Sequence, residues 1–250
     1  MSAVDTGSRG YWSASRAPRY SLLFALPLLL AYEGLAAALP DASHSGLRNG
    51  ADVMFQRLFM LLAGPQGPLV FWSALVVAGL GLVVRDARRH PGGLRLGVFV
   101  VMLLESALLS VVCGLVVGTI TTRLLGALAL QAPPVQVLDW PTRLMLSLGA
   151  GLYEELFFRV VLVSLLAWSA RRLLGWRPFA AGAFAVVIGA LLFAAFHYVG
   201  PYGDQLQVFS FTFRTIAGLF FSALYLLRGF GITAWTHALY DVLVLLVVQR

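Results

Sequence analysis

The chain alternates long apolar runs with short polar breaks, and the runs have membrane length. Stretches near the roughly 20 residues needed to cross hydrocarbon lie at Ser21–Leu39, Pro68–Val84, Leu96–Ile120, Leu144–Ala170, Phe179–Val199, Val208–Leu227 and Ile232–Val248. They predict seven spans. A shorter run, Val53–Ala63, follows Asp52 and contains Arg57, which predicts an interfacial or re-entrant helix able to pair with a neighbour as an eighth element. The breaks at Asp41–Gly50, Arg85–Arg95, Gln131–Arg143 (with Pro133-Pro134) and Gly200–Gln205 are short, and no internal repeat is visible. The pattern therefore predicts an all-α, polytopic membrane helical bundle of seven to eight transmembrane helices, forming one compact membrane domain.

Composition agrees with the bilayer and removes other classes. The chain is 60% hydrophobic and 12% charged, with a mean hydropathy of +0.85, far from a soluble globular domain. Its formal charge is +7 and every basic residue is Arg. The arginines gather at Arg9, Arg16 and Arg19, at Arg85, Arg88, Arg89 and Arg95, and at Arg171, Arg172 and Arg177. These are alternate loops, so the charge reports topology and no nucleic-acid partner is expected. By the positive-inside rule the N-terminus is expected in the cytoplasm, and the protein is expected in a bacterial cytoplasmic membrane. The first run ends Leu35-Ala-Ala-Ala-Leu39-Pro40 with some look of a signal peptide, but its length and Glu33 favour an uncleaved span. A single cysteine, Cys113, excludes a disulfide framework and a Cys-based metal site.

Against this background ionisable residues inside the spans stand out. Glu154 and Glu155 sit side by side in Leu144-Met-Leu-Ser-Leu-Gly-Ala-Gly-Leu-Tyr-Glu154-Glu155-Leu-Phe-Phe-Arg159. A carboxylate at bilayer depth costs on the order of 3 kcal/mol even on lenient insertion scales, so the pair points to function. Glu155 and Arg159 are four apart and can form an ion pair, whereas Glu154 is rotated by about 100° and is expected to have a different partner. His197 closes Phe193-Ala-Ala-Phe-His197, and alone would read as an interfacial residue. His237 and Asp241 are again four apart, in Trp235-Thr-His237-Ala-Leu-Tyr-Asp241, where an acidic neighbour can set an imidazole tautomer.

Lesser candidates have structural readings. Glu105 and Glu33 are expected as counter-ions for Arg214 or Arg57, and Trp176, Tyr198 and Tyr202 as interface anchors. Gly79-Leu-Gly81 and Gly149-Ala-Gly151 lack the context of a dinucleotide site and are expected to permit close helix approach.

Taken together, Glu-Glu-x-x-x-Arg, Phe-x-x-x-His and His-x-x-x-Asp on three successive spans resemble the CPBP family of glutamic-type intramembrane proteases. That family includes the type II CAAX prenyl endopeptidases and bacterial members linked to bacteriocin immunity or protein sorting. Phe157-Phe158-Arg159 and Tyr225-Leu-Leu-Arg228-Gly229 add to the likeness, which covers roughly residues 140 to 250. The division expected is an N-terminal 1–130 without a specific signature and a catalytic core at 131–250.

The resemblance implies an intramembrane endopeptidase acting on a membrane protein or peptide. Glu154 would activate water, His197 would help hold it, and His237 with Asp241 would stabilise the oxyanion, while Glu155 and Arg159 support the site. Asn is the usual family residue where this chain has Asp241; an ionised Asp cannot donate, so Asp241 is either protonated or an orienter of His237. A metal-independent mechanism is favoured because no His-Glu-x-x-His occurs. The alternative is zinc held by ligands from Glu154, His197, His237 and Asp241. A transporter or proton-coupled channel is the competing class. One geometric difficulty follows from seven simple spans: at 1.5 Å per residue His197 and His237 would differ in depth by roughly 15 to 20 Å. The protease reading therefore requires Val208–Leu227 to be tilted or broken and the turn at Arg228-Gly229-Phe230-Gly231 to be recessed.

Overall fold

The structure is a computed structural model describing residues 10–39, 47–126, 138–200 and 203–248. Arg9, Pro133, Pro134 and Tyr202 lie outside these residues. Helix is the regular structure throughout. A short α1 (Tyr11–Ser15) precedes α2 (Pro18–Ala38), α3 (Gly50–Ala63), α4 (Gly67–Arg89) and α5 (Leu96–Leu125). Next comes α6, a continuous helical run over residues 140–173, followed by α7 (Pro178–Phe196), α8 (Val208–Arg228) and α9 (Phe230–Val248). Prolines at the first turns of α2, α4, α6 and α7 start helices where a backbone N–H has no intrahelical partner to lose.

Six helical stretches among the described residues are long and apolar enough to cross a membrane: α2, residues 50–89, α5, α7, α8 and α9. The stretch 50–89 is a hairpin and not one rod. Gly64 takes φ +62, and a Cβ on Gly67 would lie 2.3 Å from the Met60 amide nitrogen, so α4 folds back tightly on α3. With 14 residues, α3 is about 21 Å long, short of the ~30 Å hydrocarbon core. It is thus a short helix paired with its neighbour, one of the arrangements that the run after Asp52 predicts.

A central apolar core joins α2 (Leu28, Tyr32), α3 (Phe55), α4 (Phe71), α6 (Met145, Tyr153) and α9 (Ala234, Ala238). In α6 the turns widen to π-helical form over Ala150–Glu154 and Leu156–Val163, on both sides of Glu155. Such widening accompanies functional positions often enough to mark this helix.

The turn between α8 and α9 is recessed, as the depth argument requires, but α8 is an unbroken helix. Gly229 at φ +81 lets α9 begin one residue after α8 ends. The Gly231 amide donates to Ser21 Oγ at 2.7 Å, and Arg228 grips Glu105 through Nε and Nη2 at 2.6 and 2.7 Å. Glu105 lies nine residues beyond Leu96, the start of α5, or about 13 Å along its axis. Ser15 also accepts from Arg228, and Trp12 stacks over its guanidinium at 3.8 Å, so α1 covers this corner.

These contacts correct the expected counter-ions. Glu105 pairs with Arg228 and Tyr11, Glu33 with Arg48 and Tyr153, and Arg214 with Asp204. Gly149 and Gly151 do sit at close approaches, to Tyr32 with Asn49 and to Ala234 with Ala238, whereas Gly79 and Gly81 face open space.

Candidate active site

Three helices deliver the candidate residues to one place. Glu154 comes from the widened middle of α6, His197 from the end of α7 and His237 from the second turn of α9. The ring of Phe193 joins the two imidazoles, its centroid 5.0 Å from His197 and 6.3 Å from His237. The conflict in depth is thereby removed by the recessed start of α9.

His197 places Nδ1 2.9 Å from the Phe193 carbonyl. A carbonyl only accepts, so Nδ1 carries a hydrogen and Nε2 is turned to the site. Nε2 lies 4.0 Å from Glu154 Oε2, too far for a hydrogen bond and suited to a shared water. The other oxygen, Glu154 Oε1, accepts from Asn49 Nδ2 at 2.8 Å. The site is open on this side, since the side chains of Glu154, His197 and Asp241 keep 11, 23 and 29% of their surface exposed.

Glu155 has the opposite surroundings. It is fully buried, its Oε1 accepts from His237 Nδ1 at 2.7 Å, and its Oε2 faces Arg159 Nε at 3.2 Å. The Arg159 guanidinium, equally buried, lies over Phe193 at 4.4 Å and Phe221 at 5.6 Å. Phe221 also stacks on His237 at 4.4 Å with an 18° interplanar angle. The hydrogen bond that fixes the His237 tautomer, expected of Asp241, is thus made by Glu155. Asp241 Oδ2 lies instead 3.7 Å from Nε2, beside the nitrogen that faces the site.

Asn49 escapes sequence reasoning, which places it in a linker. The signal it offers is that of an N-cap: it precedes the apolar run of α3, and its Oδ1 accepts from the Ala51 amide at 2.9 Å. Behind it stands a polar cluster. Tyr32 donates to Asp52 at 2.9 Å and accepts from the Asn49 amide at 3.1 Å, and Arg48 binds Asp52 and, at 2.5 Å, Glu33.

Among the described residues no three His, Cys, Asp or Glu side chains converge as metal ligands. On the side of α6 that carries Tyr153, a groove of about 1050 Å³ opens between α2, α4 and α6, lined by Ala25, Leu29, Leu75, Gly79, Leu152 and Tyr153.

Comparison with known proteins bears on the same segment. No curated protein and no solved structure matches the chain. Residues 136–243, which contain Glu154, Glu155, Arg159, His197, His237 and Asp241, match the family model described as type II CAAX prenyl endopeptidase Rce1-like. The match points to intramembrane protease activity of the CAAX type on a membrane-associated peptide, and the apolar helices make the protein an integral membrane one. Through residues 136–243 the chain is similar to the Rce1-like family of type II CAAX prenyl endopeptidases.

Proposed function

We propose that the protein is an endopeptidase that hydrolyses a peptide bond of a membrane-associated substrate with water activated by Glu154. The observation that carries this reading is the 4.0 Å gap between Glu154 Oε2 and His197 Nε2, at the open side of an otherwise buried cluster. A water about 2.8 Å from each atom donates one hydrogen to the carboxylate and one to the imidazole. As its oxygen bonds to the scissile carbonyl carbon, Glu154 takes the proton, and it then returns that proton to the amine nitrogen as the C–N bond breaks.

The oxyanion formed in between needs donors. His237 supplies one through Nε2–H, with Nδ1 already committed to Glu155 and with Glu155 and Asp241 balancing the imidazolium. The apolar groove beside Tyr153 offers room for the membrane-embedded part of the substrate. The arginine-rich loops face the cytoplasm, with the N-terminus on that side. Prenylated C-terminal peptides, C-terminal anchors and peptide toxins all meet this description.

The test compares membrane-protein termini by mass spectrometry in cells carrying the wild type or Glu154→Gln, followed by assay of the reconstituted full chain on the peptide found. Glu154→Gln keeps size and removes the base, so turnover falls by about 10² to 10⁴ while the protein still folds. Activity persists after exhaustive chelation. Normal cleavage by Glu154→Gln would remove the mechanism, and reactivation of a chelated sample by zinc alone would replace it with a metal-dependent one.

A further inference from the structure

We infer that Asn49 is a positioning residue of the site, binding Glu154 through Oε1 so that Oε2 is the oxygen presented to the water. The inference rests on the general-base reading above and adds to it a residue from the N-terminal part of the chain, outside the matched segment.

Every polar group of Asn49 that could turn it away is fixed. Its amide N–H donates to Tyr32 Oη at 3.1 Å, and its Oδ1 accepts from the Ala51 amide at 2.9 Å as the N-cap of α3. Only Nδ2 remains, and it points at Glu154 with a 2.8 Å contact. The residue is 6% exposed, so water does not compete for that bond. Two features hold it at this distance. Arg48, Asp52, Glu33 and Tyr32 anchor the start of α3, and Gly149, five residues before Glu154, has no Cβ where one would lie 2.9 Å from the Asn49 Cβ.

A carboxylate with both oxygens free can rotate and take either a proton or a water on either one. With Oε1 occupied by an amide donor, the oxygen 4.0 Å from His197 Nε2 stays available and the carboxylate plane is set. Asn suits this duty because its amide donates without bringing a charge of its own.

The experiment separates this duty from helix capping. Asn49→Asp and Asn49→Ser keep an N-cap oxygen, which Asn, Asp and Ser supply about equally well. Both lose the amide donor to Glu154. In the reconstituted full chain, thermal unfolding of Asn49→Ser stays near wild type, and kcat of both variants falls by about ten- to a hundredfold, the range for a hydrogen bond to a charged group, with KM little changed. Asn49→Asp also moves the acid limb of the kcat profile to higher pH, because a second carboxylate then faces Glu154. Placed in a Glu154→Gln background, either change has no further effect on turnover.

Wild-type kcat and an unmoved acid limb in both capping variants would overturn the role of Asn49 while leaving the base intact. A kcat loss in Asn49→Ser that appears only alongside a matching loss of thermal stability would reduce Asn49 to a cap. An active Glu154→Gln protein is a different result, since it removes the base reading itself.

Discussion

Two adjacent carboxylates in one helix live in different worlds. Glu155 has no exposed surface and both oxygens face partners, His237 and Arg159. Glu154, one residue earlier, keeps part of its surface open and has one oxygen held by Asn49 and one left 4.0 Å from an imidazole. A fully buried carboxylate paired with a buried cation is scaffolding, whereas one that leaves an oxygen at an open face is available for reaction. The difference comes from rotation around α6. One side meets Phe193 of α7, Phe221 of α8 and His237 of α9, and the other meets His197 at the end of α7 and the Asn49 cap of α3.

The largest structural effect that would sharpen this contrast is expected on the Glu155 side. Glu155→Ala leaves the Arg159 cation buried among Phe158, Phe193 and Phe221 without the carboxylate that faces it, and a broken buried ion pair costs about 3–5 kcal/mol. Thermal unfolding of the purified protein should show a large drop, and one that Glu154→Gln does not share. The double change Glu155→Leu with Arg159→Met recovers most of that stability but not activity, because His237 Nδ1 has lost its acceptor. Equal destabilisation by Glu154→Gln and Glu155→Ala would erase the distinction between the two residues.

How far the sequence showed this arrangement depends on the range of each interaction. The membrane helices are legible because burial in hydrocarbon is written residue by residue in hydropathy. The Glu155–Arg159 pair is legible because spacing of four along a helix implies contact. The partner of Glu154 is not, since Asn49 stands 105 residues away and is brought there by the α3–α4 hairpin. The same limit misassigned Glu105 and Glu33, whose true partners Arg228 and Arg48 are selected by tertiary packing. Nor does hydropathy show that α6 widens around Glu155, or that His237 is held by Glu155 when Asp241 is its nearer neighbour in sequence.

A smaller effect is expected on the Glu154 side from a residue that makes no polar contact. Gly149→Ala places a methyl group 2.5 Å from the Tyr32 ring and 2.9 Å from the Asn49 Cβ. Overpacking of this kind costs about 1–3 kcal/mol, and it pushes Asn49 away from Glu154. Both thermal stability and kcat should fall. Gly81→Ala is the control, for its Cβ meets nothing within 4 Å and the helix gains a better former. If Gly149→Ala behaves like Gly81→Ala, the close approach of α6 to the α3 cap has no bearing on the site.

The smallest effect is expected at Asp241, where the two sides of α6 come together over His237. Asp241 Oδ2 stands 3.7 Å from His237 Nε2, beyond hydrogen-bond length, and the orienting bond to the ring is already made by Glu155 on Nδ1 at 2.7 Å. Asp241→Asn therefore leaves the ring orientation in place, keeps the volume and supplies an amide donor at the open face. The variant should retain most of its activity, measured as kcat against His237→Ala in the same assay. If its loss equals that of His237→Ala, the charge of Asp241 and not the Glu155 hydrogen bond governs the imidazole. The scaffold would then extend from Glu155 across His237 to the open side of the site.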